Sequence, residues 1–223
     1  MRFLLYGCCL TAAVLVANAA AAPGRDPCIP LGAKYVRIHG GVLVLSMSVV
    51  GKGPRGVVLS NQSDNTPCGW LPIVNRLVRS GFRVAVYYYS GEGAYKDTVA
   101  VAAKLRSLGA RRIALVGASE GAKSSIAAAA RTRAAAVVSL SAELDLDGYG
   151  SLLPAARQLK APVLYVYSKE DSLAEVNTPL LYKATREKDK RLVALPGSEH
   201  GTTLLAHPSV RDTIVRFLQQ KLS

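Results

Sequence analysis

Ser119, Asp171 and His200 are the residues of this chain whose types and spacing suit covalent chemistry. Ser119 stands in Gly117-Ala118-Ser119-Glu120-Gly121, Asp171 in Ser168-Lys169-Glu170-Asp171-Ser172, and His200 in Gly197-Ser198-Glu199-His200-Gly201. A serine hydroxyl is a weak nucleophile until a base takes its proton. An imidazole can be that base when a carboxylate fixes its tautomer and stabilises its cation. The histidines are His39, His200 and His207. His39 falls in a first hairpin, and His207 precedes Pro208 at the start of a helix, where a boundary role accounts for it. His200 follows the last strand and is the expected base. Asp171 is the expected acid, with Glu170, Asp145 and Asp147 as rivals. A helix N-cap or first-turn role is the alternative for Asp171, and the acid role is preferred to it.

These residues need elements to hold them. From residue 34 onward, short apolar β-branched runs alternate with helical patterns. The periodicity predicts strands over 34–39, 42–50, 57–60, 82–89, 112–117, 135–141, 162–167 and 191–195. It predicts helices over 69–80, 95–108, 120–133, 152–159, 173–187 and 209–222. Gly40-Gly41 reads as a hairpin turn. An antiparallel start followed by a strand–helix rhythm means an α/β fold, with a mostly parallel sheet and helices on both faces. In such sheets function gathers where strands end. Ser119, Asp171 and His200 all fall there.

Ser119 sits between a strand and a helix, where a strained turn pushes the hydroxyl out of the sheet. Gly117 and Gly121 remove side chains that would clash. Ala122, Ser124 and Ser125 are small enough to let the helix lie close. The helix N-terminus aims backbone donors toward the serine.

On these residues the chain resembles the α/β-hydrolase superfamily over nearly all of its length after the leader. The likeness is carried by Gly117-Ala118-Ser119-Glu120-Gly121, by Asp171 in YSKEDSLAEV and by His200 in LPGSEHGTTLL. The stretch APVLYVYSKEDS…VALPGSEHG is similar to small esterases and dienelactone-hydrolase-like members. The latter use cysteine where this chain has serine, so their chemistry does not carry over. The resemblance implies a three-layer fold with an eight-stranded sheet. It also implies a triad of Ser119, Asp171 and His200, and an oxyanion hole built from backbone N–H groups. One donor is then Glu120. The other comes from the loop VVLSNQSDN, with Ser63 favoured and Gln62 next. Families of this kind often have His-Gly there, where this chain has Asn61-Gln62. Asp64 and Asn65 read as turn residues.

About ten residues separate the strand ending near Ser141 from the next helix, which is loop length and leaves the site without a lid domain. Trp70, Tyr87, Tyr88, Tyr89 and Leu173 are candidates for an acyl or aromatic pocket, although core packing is the commoner fate of such side chains. The reaction expected is cleavage of an ester or thioester. A peptidase or acyltransferase on the same triad, and a non-catalytic binding module of the same fold, remain open.

With 223 residues and half of them apolar, the chain is sized for one globular domain. Residues 1–22 read as a secretory leader, with Ala17-Asn18-Ala19 or Ala19-Ala20-Ala21 as cleavage sites. An uncleaved membrane anchor is the alternative. Residues 23–223 form the predicted hydrolase domain. Export favours a disulfide between Cys28 and Cys68, the cysteines left after the leader. The net charge of +13 is spread over helix faces without interleaved aromatics. That argues against nucleic acid and for loose association with an anionic envelope surface. No P-loop, dinucleotide fingerprint or metal-ligand spacing is present, so neither cofactor nor metal is expected.

Overall fold

The computed structural model describes residues 26–39, 43–145 and 150–223. The expected leader, the Gly40-Gly41 turn and Asp147 lie outside them. Eight strands form one sheet in the order β1-β2-β4-β3-β5-β6-β7-β8. They are β1 (Lys34–Ile38), β2 (Leu45–Val50), β3 (Arg55–Ser60), β4 (Arg83–Tyr87), β5 (Arg112–Ala118), β6 (Ala136–Leu140), β7 (Val163–Ser168) and β8 (Lys190–Leu195). Strand β2 runs antiparallel to both β1 and β4, and every pairing from β4 to β8 is parallel. This is the expected three-layer α/β-hydrolase fold.

The layers follow from alternation along strands buried on both faces. Val57, Leu59, Val84, Val86, Ala114 and Val116 point to one side. There they meet Ile73, Val74 and Leu77 of α1 (Leu71–Arg79) and Ile214 and Phe217 of α6 (Pro208–Lys221). On the other side Val58, Ala85, Ile113 and Leu115 meet α2 (Ala94–Ser107). Val137, Val163 and Tyr165 meet α3 (Glu120–Thr132), α4 (Leu153–Gln158) and α5 (Asn177–Ala184). An Arg76–Asp212 ion pair joins α1 to α6.

Two helices differ from the periodicity by more than one residue at an end. The helix expected from residue 69 opens as a 3₁₀ turn, Pro67–Trp70, capped by the Thr66 hydroxyl, and becomes α-helical at Leu71. The helix expected over 173–187 is shortened to Asn177–Ala184. Its start is taken up by turns bonded to Asp171. Its end is drawn away because the Thr185 hydroxyl hydrogen-bonds the buried Tyr165 hydroxyl at 2.8 Å.

Cys28 and Cys68 are disulfide-bonded. The same N-terminal segment is held by Tyr88, whose hydroxyl donates to Asp26 Oδ2 at 2.7 Å. Burial first, and the Asp26 carboxylate second, push the Tyr88 phenol up to about 12. The bridge spans a sequence separation of 40 residues, and closing such a loop is worth about 4 kcal/mol in chain-entropy terms. The double variant Cys28→Ser/Cys68→Ser should therefore melt roughly 8–15 °C lower by calorimetry. An unchanged midpoint would show that the aromatic and carboxylate contacts hold the segment unaided.

Candidate active site

Strand β5 ends at Ala118 and α3 begins at Glu120, so Ser119 alone makes the turn. Its φ of 49° and ψ of −110° are strained for a residue with a Cβ. Backbone bonds hold the strain. Ser119 N–H donates to Leu140 O at 2.8 Å, and Ser119 O accepts from Ala122 and Lys123. Space explains the flanking glycines. A Cβ on Gly117 would lie 1.9 Å from Gly121 O, and one on Gly121 would lie 2.0 Å from Ser60 O. Both are impossible contacts, so the two glycines are what let α3 approach the sheet.

A buried hydroxyl network stiffens the ground beneath the turn. Tyr87 donates to Ser60 Oγ at 2.8 Å, and Thr98 Oγ1 lies 2.9 Å from Tyr87 Oη and 3.0 Å from Ser124 Oγ. The network ties β3, β4, α2 and α3 together. Tyr87 is thus a core residue, its phenol pushed up by burial. Trp70 is equally buried, with its indole N–H on Asn61 Oδ1 at 3.2 Å. Both are interior side chains with no exposed surface. Leu173, by contrast, is half exposed.

Asp171 and His200 come from neighbouring loops. Lys169 N–H bonds Leu195 O at 2.8 Å and Glu170 N–H bonds Gly197 O at 3.0 Å, which locks the β7 exit to the β8 exit. His200 Nδ1 then lies 2.8 Å from Asp171 Oδ2 and 3.0 Å from Oδ1. Asp171 is almost wholly buried and also accepts the Leu173 N–H at 3.2 Å. It therefore makes the local turn contact expected of a cap as well as the contact to the imidazole. Gly201, next to His200, packs against Ala118, next to Ser119, at 3.5 Å from its ideal Cβ position.

The rivals are occupied elsewhere. His207 Nε2 pairs with Glu199 Oε1 at 3.2 Å, and Glu199 also accepts from Ser168. Its own backbone N–H, then His207 and Ser168, hold the Glu199 carboxyl below the usual range. Asp145 forms an isolated bridge with Ser151, while Glu170 and His39 are exposed.

The loop after β3 carries the two candidate backbone donors. Among the described residues no protein acceptor takes the N–H of Gln62 or Ser63. The Gln62 side chain has a separate task, because Oε1 accepts the Thr202 N–H and hydroxyl, each at 3.0 Å. That anchors the loop to the segment after His200. Asn65 shapes the turn, with φ 52° and bonds to the Tyr89 backbone.

Two further residues were not legible in the sequence. Ser141, at φ 52°, accepts the Gly201 N–H at 3.0 Å and links the β6 exit to the segment bearing His200. Glu143 follows in the same loop, and Ser119 Oγ donates to its Oε1 at 3.4 Å. No hydrogen bond joins Ser119 Oγ to His200 in this arrangement. An acid in an irregular polar loop carries no periodicity, so pattern reading had no signal for it.

No family model and no curated protein matches the chain. Solved structures do. An esterase from Pyrococcus furiosus is 16% identical with a TM-score of 0.75, over 86% of this chain and 93% of that one. The esterase domain of a Rhodothermus marinus protein is 18% identical at TM-score 0.71, over 86% of this chain and all of that one. Dienelactone hydrolase from Anabaena variabilis is 19% identical at TM-score 0.67, over 85% and 95%. At these identities the likeness is one of fold.

The contact argument for the turn is open to test. Gly121→Ala should destabilise by more than about 3 kcal/mol or prevent folding, because a backbone carbonyl has no room to move. Gly32→Ala meets nothing within 4 Å despite a φ of +74°, so its loss should stay at about 1–2 kcal/mol. Thermal melts monitored by circular dichroism would compare the two. Equal losses would refute the close-approach explanation.

Proposed function

We propose that this chain, an α/β-hydrolase by fold, is an exported serine hydrolase that cleaves an ester or thioester through an acyl-enzyme. The observation that carries the reading is the His200–Asp171 pair, 2.8 Å at its shorter contact, one loop away from a serine on a strained, glycine-flanked turn. The fold shared with esterases supports it.

In the first step the Ser119 hydroxyl turns from Glu143 to the Nε2 of His200. As Oγ bonds the substrate carbonyl carbon, His200 takes its proton and Asp171 stabilises the imidazolium. The carbonyl π pair moves onto oxygen, facing the N–H of Glu120 and a donor from the β3 exit loop, Ser63 or Gln62. Such preorganised donors supply the largest share of acyl-transfer catalysis. The tetrahedral intermediate collapses, the C–O or C–S bond to the leaving group breaks, and His200 returns the proton to that group. Water repeats the sequence and frees the acid. No cofactor is needed for these steps. The disulfide and the apolar leader favour export, and among the described residues no helix is long and apolar enough to cross a membrane.

A fluorophosphonate should label the purified protein at Ser119, and Ser119→Ala should abolish both labelling and hydrolysis of 4-nitrophenyl acetate. Asp171→Asn should keep the fold and lower kcat about 10⁴-fold. Undiminished labelling of Ser119→Ala would remove the central claim.

A further inference from the structure

The Glu143 carboxylate lies 3.4 Å from the Ser119 hydroxyl, beside the place a carbonyl attacked by that hydroxyl would occupy. Among the described residues the one hydrogen bond its side chain makes is the 3.4 Å bond from the nucleophile. Among the described residues no Lys, Arg or His lies within ion-pairing distance of it. Its backbone is held on both sides. Ala142 O accepts the buried Thr178 hydroxyl at 3.0 Å, and Leu144 O accepts the Leu152 N–H at 2.7 Å. Glu143 is half-buried rather than waving in solvent.

An anion there opposes the reaction of a neutral or anionic ester. Negative charge builds on the substrate oxygen within a few ångströms of it, and like charges at that range in a partly desolvated site repel. A positive group on the substrate removes the penalty. It also takes up the carboxylate oxygen that holds the Ser119 hydroxyl away from His200. We propose that Glu143 makes this site selective for esters carrying a cationic group, such as a quaternary ammonium, within a few bonds of the scissile carbonyl. The inference rests on the hydrolase reading above and specifies its substrate class.

The charge distribution of the whole molecule agrees. The chain is strongly basic, and each strand of the parallel block has a cation at or just before its amino end: Arg55, Arg83, Arg112, Arg133, Lys160 and Lys190, with Glu187 and Asp189 as acids before β8, the latter paired with Lys221. At the carboxyl ends stand Glu120, Glu143, Asp145, Glu170, Glu175 and Glu199. Of the lysines at that end, Lys123 is buried against Glu120 at 2.9 Å, and Lys96 and Lys169 are exposed. Helix dipoles favour part of this segregation by drawing acids to helix N-termini. They do not account for Glu143, which lies in irregular chain well before α4. Such a field raises the local concentration of a cationic substrate.

Isosteric pairs test the proposal on both sides of the ester. On the alcohol side, acetylcholine is compared with 3,3-dimethylbutyl acetate. On the acyl side, the 4-nitrophenyl ester of 4-(trimethylammonio)butyrate is compared with that of 5,5-dimethylhexanoate. Intrinsic reactivity cancels when each cation-to-neutral ratio of kcat/KM is compared between wild type and variant. In at least one pair Glu143→Gln should lower the ratio about tenfold or more, with the neutral ester unchanged or faster. Glu143→Lys should turn the preference toward 4-nitrophenyl hemiglutarate. Glu175→Gln, on the same face but exposed and without contact to Ser119, should lower the ratios far less than Glu143→Gln. Melting curves verify that each variant folds. If fluorophosphonate labels Ser119 and neutral esters turn over, but Glu143→Gln changes neither ratio, the selectivity proposal is overturned and the hydrolase reading stands. If neither label nor ester reacts with the wild type, both fall together.

Discussion

The Cα of Gly121 sits so close to the carbonyls of Ser60 and Asn61 that no side chain fits between helix and strand. Much else follows from that approach. It brings the N-terminus of α3 down onto the carboxyl edge of the sheet. It leaves Ser119 to make the whole reversal in one residue, at a φ that residues with a Cβ avoid. It also sets the β3 exit loop, whose Gln62 and Ser63 N–H groups have no protein acceptor among the described residues, directly beside the serine's helix. The strain is tolerated because its surroundings are over-determined: backbone bonds above it and a chain of buried hydroxyls below it.

Around this fixed point the remaining loops are fastened to one another rather than to the core alone. The β7 and β8 exits share backbone bonds, which sets the distance from Asp171 to His200. Ser141 reaches from the β6 exit to Gly201, and Gln62 reaches from the β3 exit to Thr202. The 3₁₀ segment Gly201–Ala206 is therefore held from two directions immediately after the imidazole. If His200 takes and returns a proton as proposed, such bracing serves it, since angular freedom of the imidazole would convert into lost rate.

The sheet and its helices were largely legible in the sequence because strands buried on both faces read as unbroken apolar runs, such as Val57 to Leu59 and Ile113 to Val116. Strand order was not legible. Nothing local says that β4 lies between β2 and β3. The glycines at 117 and 121 announced the turn, since a required absence of side chain leaves a mark in the chain. Glu143, Ser141 and the side-chain role of Gln62 left none. They act across long sequence separations from loops whose polarity looks like ordinary solvation. The expected helix start at 173 failed for a related reason: Asp171 gathers the N–H groups of Leu173, Ala174 and Glu175 through its side chain and carbonyl, and the regular helix begins only after those bonds are spent. Leu173 was one of several pocket candidates, and Trp70 and Tyr87 among them proved to be interior packing.

The separation of cations at the amino ends of the strands from acids at the carboxyl ends gives the molecule an electrical polarity as well as a net charge. A uniformly basic particle meets an anionic surface in any orientation. This one experiences a torque as it approaches, because the two ends of the sheet respond with opposite sign. Were it to meet an anionic surface, the favoured pose would put the amino ends of β3 to β8 nearest and leave the loops bearing Ser119, Asp171 and His200 facing the solvent. The arrangement of charge thus does for a tumbling molecule what a tether would do for an anchored one. At such a surface it would set which way the serine looks.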